Sequence, residues 1–269
     1  MKPAARREAV APPTDRIQKI LAAAGIGSRR EIERWIKEGR LKVNGESPQL
    51  GTKLSATDKI TVDGRAVRLH AKDAGRRESR VLLYHRSPGD ALDIKGATSR
   101  AAEQLKLPRS SGRWLAIQPL PPVDGGLEIL TDDGSWAHKV SRGAHALTTD
   151  YVLRVRGHLG DALLEELRTA TECEGEPMQI AAAEAQLGDG ANHWLNLTAR
   201  ATRPAVVRHW LAARGLIVSR LMRVRFGPVH LTRDLPRGRL RAMLPAERNA
   251  LMNEIEAANA PPADPAAIV

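Results

Sequence analysis

Residues 16–45 read RIQKILAAAGIGSRREIERWIKEGRLKVNG, and their spacing specifies a small helical domain. Ile17, Ile20, Leu21 and Ala24 recur at helical intervals, and Gly25 and Gly27 end that helix. Ser28 is a good N-cap for a second helix, and Glu31 three residues later completes a capping box. Ile32, Trp35 and Ile36 then give that helix its buried face, and Gly39 stops it. Next come LKVNG (41–45) and KITVDG (59–64), two short alternating strands that each end in a turn dipeptide, Asn44-Gly45 and Asp63-Gly64. Arg30, Arg34 and Lys37 fall at i, i+4 and i+7, one cationic stripe away from Ile32 and Ile36.

The whole chain has 269 residues, a length that suggests two domains. Hydrophobic residues make up 42% and charged residues 27%, ordinary globular values; aromatics are only 3%, so Leu, Val, Ile and Ala must fill the core. Lys and Arg number 42 against 31 Asp and Glu, a net charge of +11. The positive charge is concentrated at 1–70 and again, all as Arg, at 201–243, with a mildly acidic middle. Two basic blocks point to a polyanionic partner, nucleic acid before an anionic membrane.

Several classes are excluded. The single cysteine, Cys173, forms no disulfide framework and no multi-thiolate metal site. The histidines have no metal-ligand spacing, so no metal is expected. There is no Gly-rich phosphate loop and no G-x-S-x-G elbow. No apolar run approaches the roughly 18 residues of a membrane span. The opening MKPAARREAVAPP has no apolar segment to make a secretory signal. A cytoplasmic, membrane-free monomer is expected.

Pro- and Ala-rich residues 1–13 and 258–269 read as disordered tails, and the polar stretch AKDAGRRES (71–79) reads as a linker. Domains are therefore expected at 14–70 and 80–257. In the second, strands are expected at 80–85, 113–120, 126–131, 151–157, 194–200 and 221–231. Helices are expected at 135–142, 161–170, 205–215 and 245–259. Strands are often consecutive, which gives an α+β fold with a mainly antiparallel sheet.

The helix-helix-strand stretch through LGTKLSATDKITVDG (50–64) resembles the S4 RNA-binding domain (αL-type). The resemblance places Arg29, Arg30, Arg34, Lys37 and Arg40 on or beside an RNA-facing surface. The larger domain is similar to the S4-domain pseudouridine synthases that modify ribosomal RNA. WLAIQPLPPVDGGLEILTDDG (114–134) aligns without a gap to that family's W-x-x-V-G-R-L-D-x-x-T-x-G-L-L-L-L-T-N-D-G. TTDYVLRVRG resembles its K-x-Y-L-V-x-V strand, and VVRHWLAARGLIVSRLMRVRFGPVHLTRDLPRGRLRAM resembles its C-terminal segment. Such enzymes need no cofactor. They break a uridine's glycosidic bond and rejoin the flipped base through C5.

Measured against that pattern, the reactive site departs. Pro121 falls at the family's indispensable Asp, Gln118 and Pro119 at its preceding Gly and Arg, and Thr149 at a Lys. Tyr151 alone is retained, either to stack a base or to pack in the core. Proline can be neither nucleophile nor base. The resemblance therefore implies an RNA-binding member that has lost its chemistry. The alternative is an active synthase with a relocated acid, Asp124, which an extended chain would put about 10 Å from position 121; otherwise Asp124 is a turn residue. Arg208 matches the first Arg of Q-V-R-R-M and is read as an RNA or pocket residue. Arg220, Arg223 and Arg225 are read as strand residues facing phosphates, the last two sharing a face. A third reading gives the basic faces to a protein or membrane partner, supported only by the amphipathic helix at 205–215.

Overall fold

Ser28 caps its helix as its sequence predicts. Its hydroxyl accepts from the Glu31 N–H at 3.2 Å, and the Glu31 carboxylate accepts from the Ser28 N–H at 3.2 Å. The computed structural model describes residues 15–24, 26–55, 57–67, 79–90, 92, 105, 107–108, 114–186 and 192–259. The expected tails and linker lie outside these residues, apart from Ser79 and the last turn of the final helix, which runs through 258–259. Two compact units emerge, one containing residues 15–67 and the other 80–90 and 115–259.

The smaller unit runs β1 (Asp15–Arg16), α1 (Ile17–Ala23), α2 (Arg29–Lys37), β2 (Leu41–Val43), β3 (Lys53–Leu54), β4 (Ile60–Val62) and β5 (Arg65–Val67). Strands order β2-β4-β5, with β1 and β3 a separate pair. Asn44, Gly45, Asp63 and Gly64 all have positive φ, as tight primed turns demand. The second of these turns joins β4 to β5, a strand that the sequence reading lacks. Ile17, Leu21, Ile32, Ile36, Leu41, Leu54 and Ile60 form the core. Trp35 is only half-buried.

In the larger unit the elements are β6 (Val81–Arg86), β7 (Leu115–Ile117), β8 (Gly125–Thr131), α3 (Gly134–Gly143), β9 (Thr148–Arg156), α4 (Asp161–Thr169), β10 (Glu172–Cys173), β11 (Glu176–Pro177), β12 (Gln179–Gln186), β13 (Asn192–Arg200), α5 (Pro204–Ala212), β14 (Ile217–Phe226), β15 (Val229–His230), β16 (Leu240–Ala242) and α6 (Pro245–Asn259). Nine strands form one sheet in the order β12-β13-β9-β14-β8-β6-β16, with β15 on β14 and β7 on β8. Among the described residues only β14 with β8 is parallel, so the α+β, mainly antiparallel expectation is met.

One cluster packs α4 and α5 against β12, β13 and β9 through Leu164, Leu167, Val207, Trp210, Leu153, Val155 and Leu197. A second packs α3 and α6 against β6 and β8 through Trp136, Val140, Leu251, Ile255, Leu83, Leu127 and Ile129. The helix expected at 205–215 is thus a core helix: Val206, Val207, Trp210 and Leu211 are buried, which leaves no apolar face for a membrane or partner.

Candidate functional site

The loop between β7 and β8 occupies the position where the reactive Asp was expected. Gln118 turns the chain with φ of 47°. The Asp124 N–H donates to the Pro121 carbonyl at 3.0 Å, closing a β-turn over Pro121–Asp124. The ends of such a turn lie within about 7 Å, so the extended-chain separation of about 10 Å is corrected. Two glycines then admit close neighbours. A Cβ on Gly125 would lie 2.8 Å from the Arg86 carbonyl, and one on Gly126, whose φ is 102°, would collide with the Arg223 backbone.

Beneath the loop lies a buried ion triad. Arg86, Glu128 and Arg223 are 1%, 0% and 3% exposed. The Glu128 Oε1 accepts from Arg86 Nη1 and from the Leu120 N–H, each at 3.0 Å, and Oε2 accepts from Arg223 Nη2 at 3.0 Å. Other donors of the two guanidiniums hold the loop and the start of β8, while Arg86 Nε is buried without a partner among the described residues. Arg86 donates to the carbonyls of Leu120 at 2.9 Å, Asp124 at 2.8 Å and Pro121. Arg223 donates to Gln118 at 2.9 Å and Leu127 at 2.7 Å. Burial pushes the Glu128 carboxyl up, against the pull of Arg223 and Arg86.

Asp124 is not a simple turn residue. It is fully buried, and its Oδ1 accepts from both Arg208 Nε, at 3.0 Å, and Nη2. Its Oδ2 is buried without a partner among the described residues. Arg208, on α5, also donates to the Val218 carbonyl at 2.8 Å. Tyr151 is buried in the core and donates to the Thr202 carbonyl at 3.3 Å. Burial pushes its phenol up to about 12; Arg223 opposes this, and Asp124 and Glu128 add to it. Thr149, at the family's Lys position, is 8% exposed.

The structure brings Pro121, Asp124, Tyr151 and Arg208 to one place, and two assignments are corrected. Arg223 is withdrawn from any RNA surface by burial. It also shares no face with Arg225, because a bulge separates them where β14 pairs with β9. Arg225 binds Asp150 at 2.6 and 2.8 Å and Thr148 at 3.1 Å. Against the upward push of partial burial, the bonds from Arg225 and from the Thr198 hydroxyl, at 2.8 Å, hold the Asp150 carboxyl below its ordinary range. A folded value below the unfolded one adds stability above the ordinary carboxylate range, lost as pH falls through the folded value. Asp150→Asn is expected to cost about 1–2 kcal/mol at neutral pH and to flatten the acid limb of a denaturation profile.

In the smaller unit Arg29, Arg30, Arg34, Lys37 and Arg40 are all exposed. Arg40 is engaged, donating to Asp63 at 2.7 and 2.5 Å and lying over Trp35. Arg34 lies within 4.0 Å of Glu31 and 3.7 Å of Glu38. Arg220 is half-buried on β14. Sequence reasoning missed Arg86 and Glu128. The available signal was a lone acid in the apolar run GLEILT, part of a strand buried at every residue.

No helix of the described residues is long and apolar enough to cross a membrane. The S4 domain model matches residues 15–60. Ribosomal large subunit pseudouridine synthase B of Pseudomonas aeruginosa is 36% identical over 91% of this chain, which spans 63% of that relative's length. The protein of the same name from Yersinia pestis is 35% identical over 83% of the chain and 71% of its own length. In Escherichia coli (strain K12) the figures are 33%, 90% and 84%. A crystal structure of a pseudouridylate synthase matches with a TM-score of 0.56 at 22% identity, covering 88% of this chain and 100% of that one, and shares the fold. By its S4 match, its fold and these relatives, the chain belongs to the S4-domain ribosomal RNA pseudouridine synthase family.

Proposed function

We propose that this chain binds structured ribosomal RNA in the cytoplasm, as a monomer, and no longer isomerises uridine. The observation that carries this reading is the closed loop at 118–124. Pro121 offers only a carbonyl, which Arg86 occupies, and the carboxylate nearest to it in the chain, Asp124, is fully buried against Arg208. A nucleophile must meet its substrate within about 3–3.5 Å, and a carboxylate sealed in a core meets none. The S4 match and the exposed cations of α2 support the RNA half of the reading. The relatives are named as pseudouridine synthases of the ribosomal large subunit, which indicates the class of RNA.

A second reading keeps the chemistry, with Asp124 as the acid. It is favoured by the orphaned Oδ2 of Asp124 beside Arg208. Deleting the gene and mapping every pseudouridine in the host's ribosomal RNA separates the two. We expect an unchanged map together with cross-linking of the protein to ribosomal RNA; loss of one pseudouridine overturns the silent reading. Arg30→Ala with Arg34→Ala is expected to weaken binding of a ribosomal RNA fragment. It should also lower the slope of log affinity against log salt by about one for each phosphate that is no longer neutralised.

A further inference from the structure

The register of the larger unit's sheet brings an uncovered tryptophan into line with unpaired arginines. On β12, β13, β9 and β14 the inward residues pack under α4 and α5, and the outward ones alternate with them. Gln186 stands opposite Trp194, Trp194 opposite Arg154, and Arg154 opposite Arg220. The neighbouring row holds Asn192, Arg156 and Ile217. The bulge between Val218 and Arg220 takes up Ser219, so Arg220 stays on the side of Arg154. Directly opposed side chains lie about 4.5–5.5 Å apart at Cβ, and successive rows about 7 Å apart. Arg237 joins from the loop before β16, its Nη2 3.9 Å from the Met222 sulfur, which faces the row beyond Arg154.

Trp194 lies open on this face, and the arginines around it, like Arg29 and Arg30 of α2, are bound to no carboxylate among the described residues. Trp35, Trp136 and Trp210 each carry an arginine over the ring. Trp194 carries none among the described residues and is 41% exposed, and Ile217, across β9 in the neighbouring row, is 62% exposed; the buried Trp114 also carries none. Arg40, Arg203, Arg214, Arg225 and Arg241 are bound to carboxylates. Arg154, Arg156, Arg220 and Arg237 have no carboxylate partner among the described residues. The acids on this face include Glu184, on β12 opposite Asn196, and Asp150, which is held by Arg225.

We infer that this sheet face is a stacking platform for single-stranded RNA, with one base on Trp194 and the flanking phosphates on Arg154, Arg156, Arg220 and Arg237. The inference rests on the RNA-binding reading above and adds a second binding surface, distinct from the α2 cations. Cations without counter-ions favour a polyanion. An open aromatic ring on a sheet face takes a splayed base, whereas the bases of a duplex are already stacked on one another. Arg adds planar stacking and forked phosphate bonds that Lys does not.

The test is anisotropy of a labelled twelve-nucleotide oligouridylate, titrated with the full chain at several salt concentrations. Trp194→Ala is expected to weaken binding about five- to a hundredfold, the range for one stacked base. Trp194→Phe should retain most of the affinity. Arg154→Ala and Arg156→Ala should each lower the salt slope by about 0.7, as for one phosphate on a single strand. Tryptophan fluorescence quenched by the oligonucleotide in the wild type, but not in Trp194→Phe, supports the platform even if Trp194→Ala fails to fold. The platform is overturned if Trp194→Ala binds like the wild type while Arg30→Ala with Arg34→Ala loses affinity. It is equally overturned if the chain binds a ribosomal RNA hairpin but no oligouridylate; the RNA-binding reading survives both results. A wild-type chain that binds neither RNA overturns both.

Discussion

Glu128→Leu is expected to destabilise the larger unit by about 3–5 kcal/mol, the range for breaking a buried ion pair by removing one partner. Among the described residues Glu128 is the sole carboxylate bonded to either of two guanidiniums that are themselves almost wholly buried. Its removal leaves both cations in a low-dielectric interior and deprives the Leu120 N–H of its acceptor. The leucine's own packing cannot offset this, because a leucine side chain contributes about 1.5–3 kcal/mol when fully buried and Glu128 already fills that space. Against a total of about 5–15 kcal/mol, the loss is a large share. At about 2–4 °C per kcal/mol, a fall in Tm of roughly 10 °C follows. Chemical denaturation of the two proteins measures it, and a midpoint change equivalent to less than about 0.5 kcal/mol would show that the triad holds nothing. The triple change Arg86→Met, Glu128→Leu, Arg223→Met should recover part of the loss, since no buried charge of the triad is left unpaired. It should not recover all of it, because Arg86 and Arg223 together hold the carbonyls of Gln118, Leu120, Pro121, Asp124 and Leu127.

Much of this architecture was legible from local signals. Ser28 and Glu31 announce a helix start through a cap whose two partners are three residues apart, and Asn44-Gly45 and Asp63-Gly64 announce turns that only a few residue types make. Those features need no knowledge of distant neighbours. The edge strand β12 was missed because QIAAAEAQ is rich in alanine, a weak strand former, and its alternation is broken by a bulge between Ile180 and Ala182. The site was legible in its membership and not in its geometry. Asp124, Tyr151 and Arg208 lie 84 residues or fewer apart in sequence, and nothing local says that Arg208 reaches back to Asp124. The two-residue period put Arg223 and Arg225 on one face, and a single extra residue in the ladder separated them. Glu128 was the hardest to read. A carboxylate in a strand reads as its solvent face until the strand proves to be buried on both sides.

Asp124→Asn carries the largest functional contrast. In a silent RNA-binding protein the substitution leaves the pseudouridine map of the host unchanged and RNA affinity within about twofold, because Asp124 is sealed from solvent and belongs to the fold. In an active enzyme with a relocated acid it abolishes the reaction, since an amide can be neither the nucleophile nor the base that a carboxylate can be. The outcomes differ by a loss of at least about a hundredfold in rate, the usual contribution of a positioned acid or base. The structural cost is the same in both. The Asn carbonyl still accepts from Arg208, but the pair loses its negative charge, and about 2 kcal/mol of stability should go with it. The stability change and the chemical change are therefore read independently. A melt lowered by several degrees beside an unaltered map marks Asp124 as the anchor of Arg208. A map that loses a uridine isomerisation marks it as the acid, and the orphaned Oδ2, unpartnered among the described residues, then becomes the atom to place against the substrate.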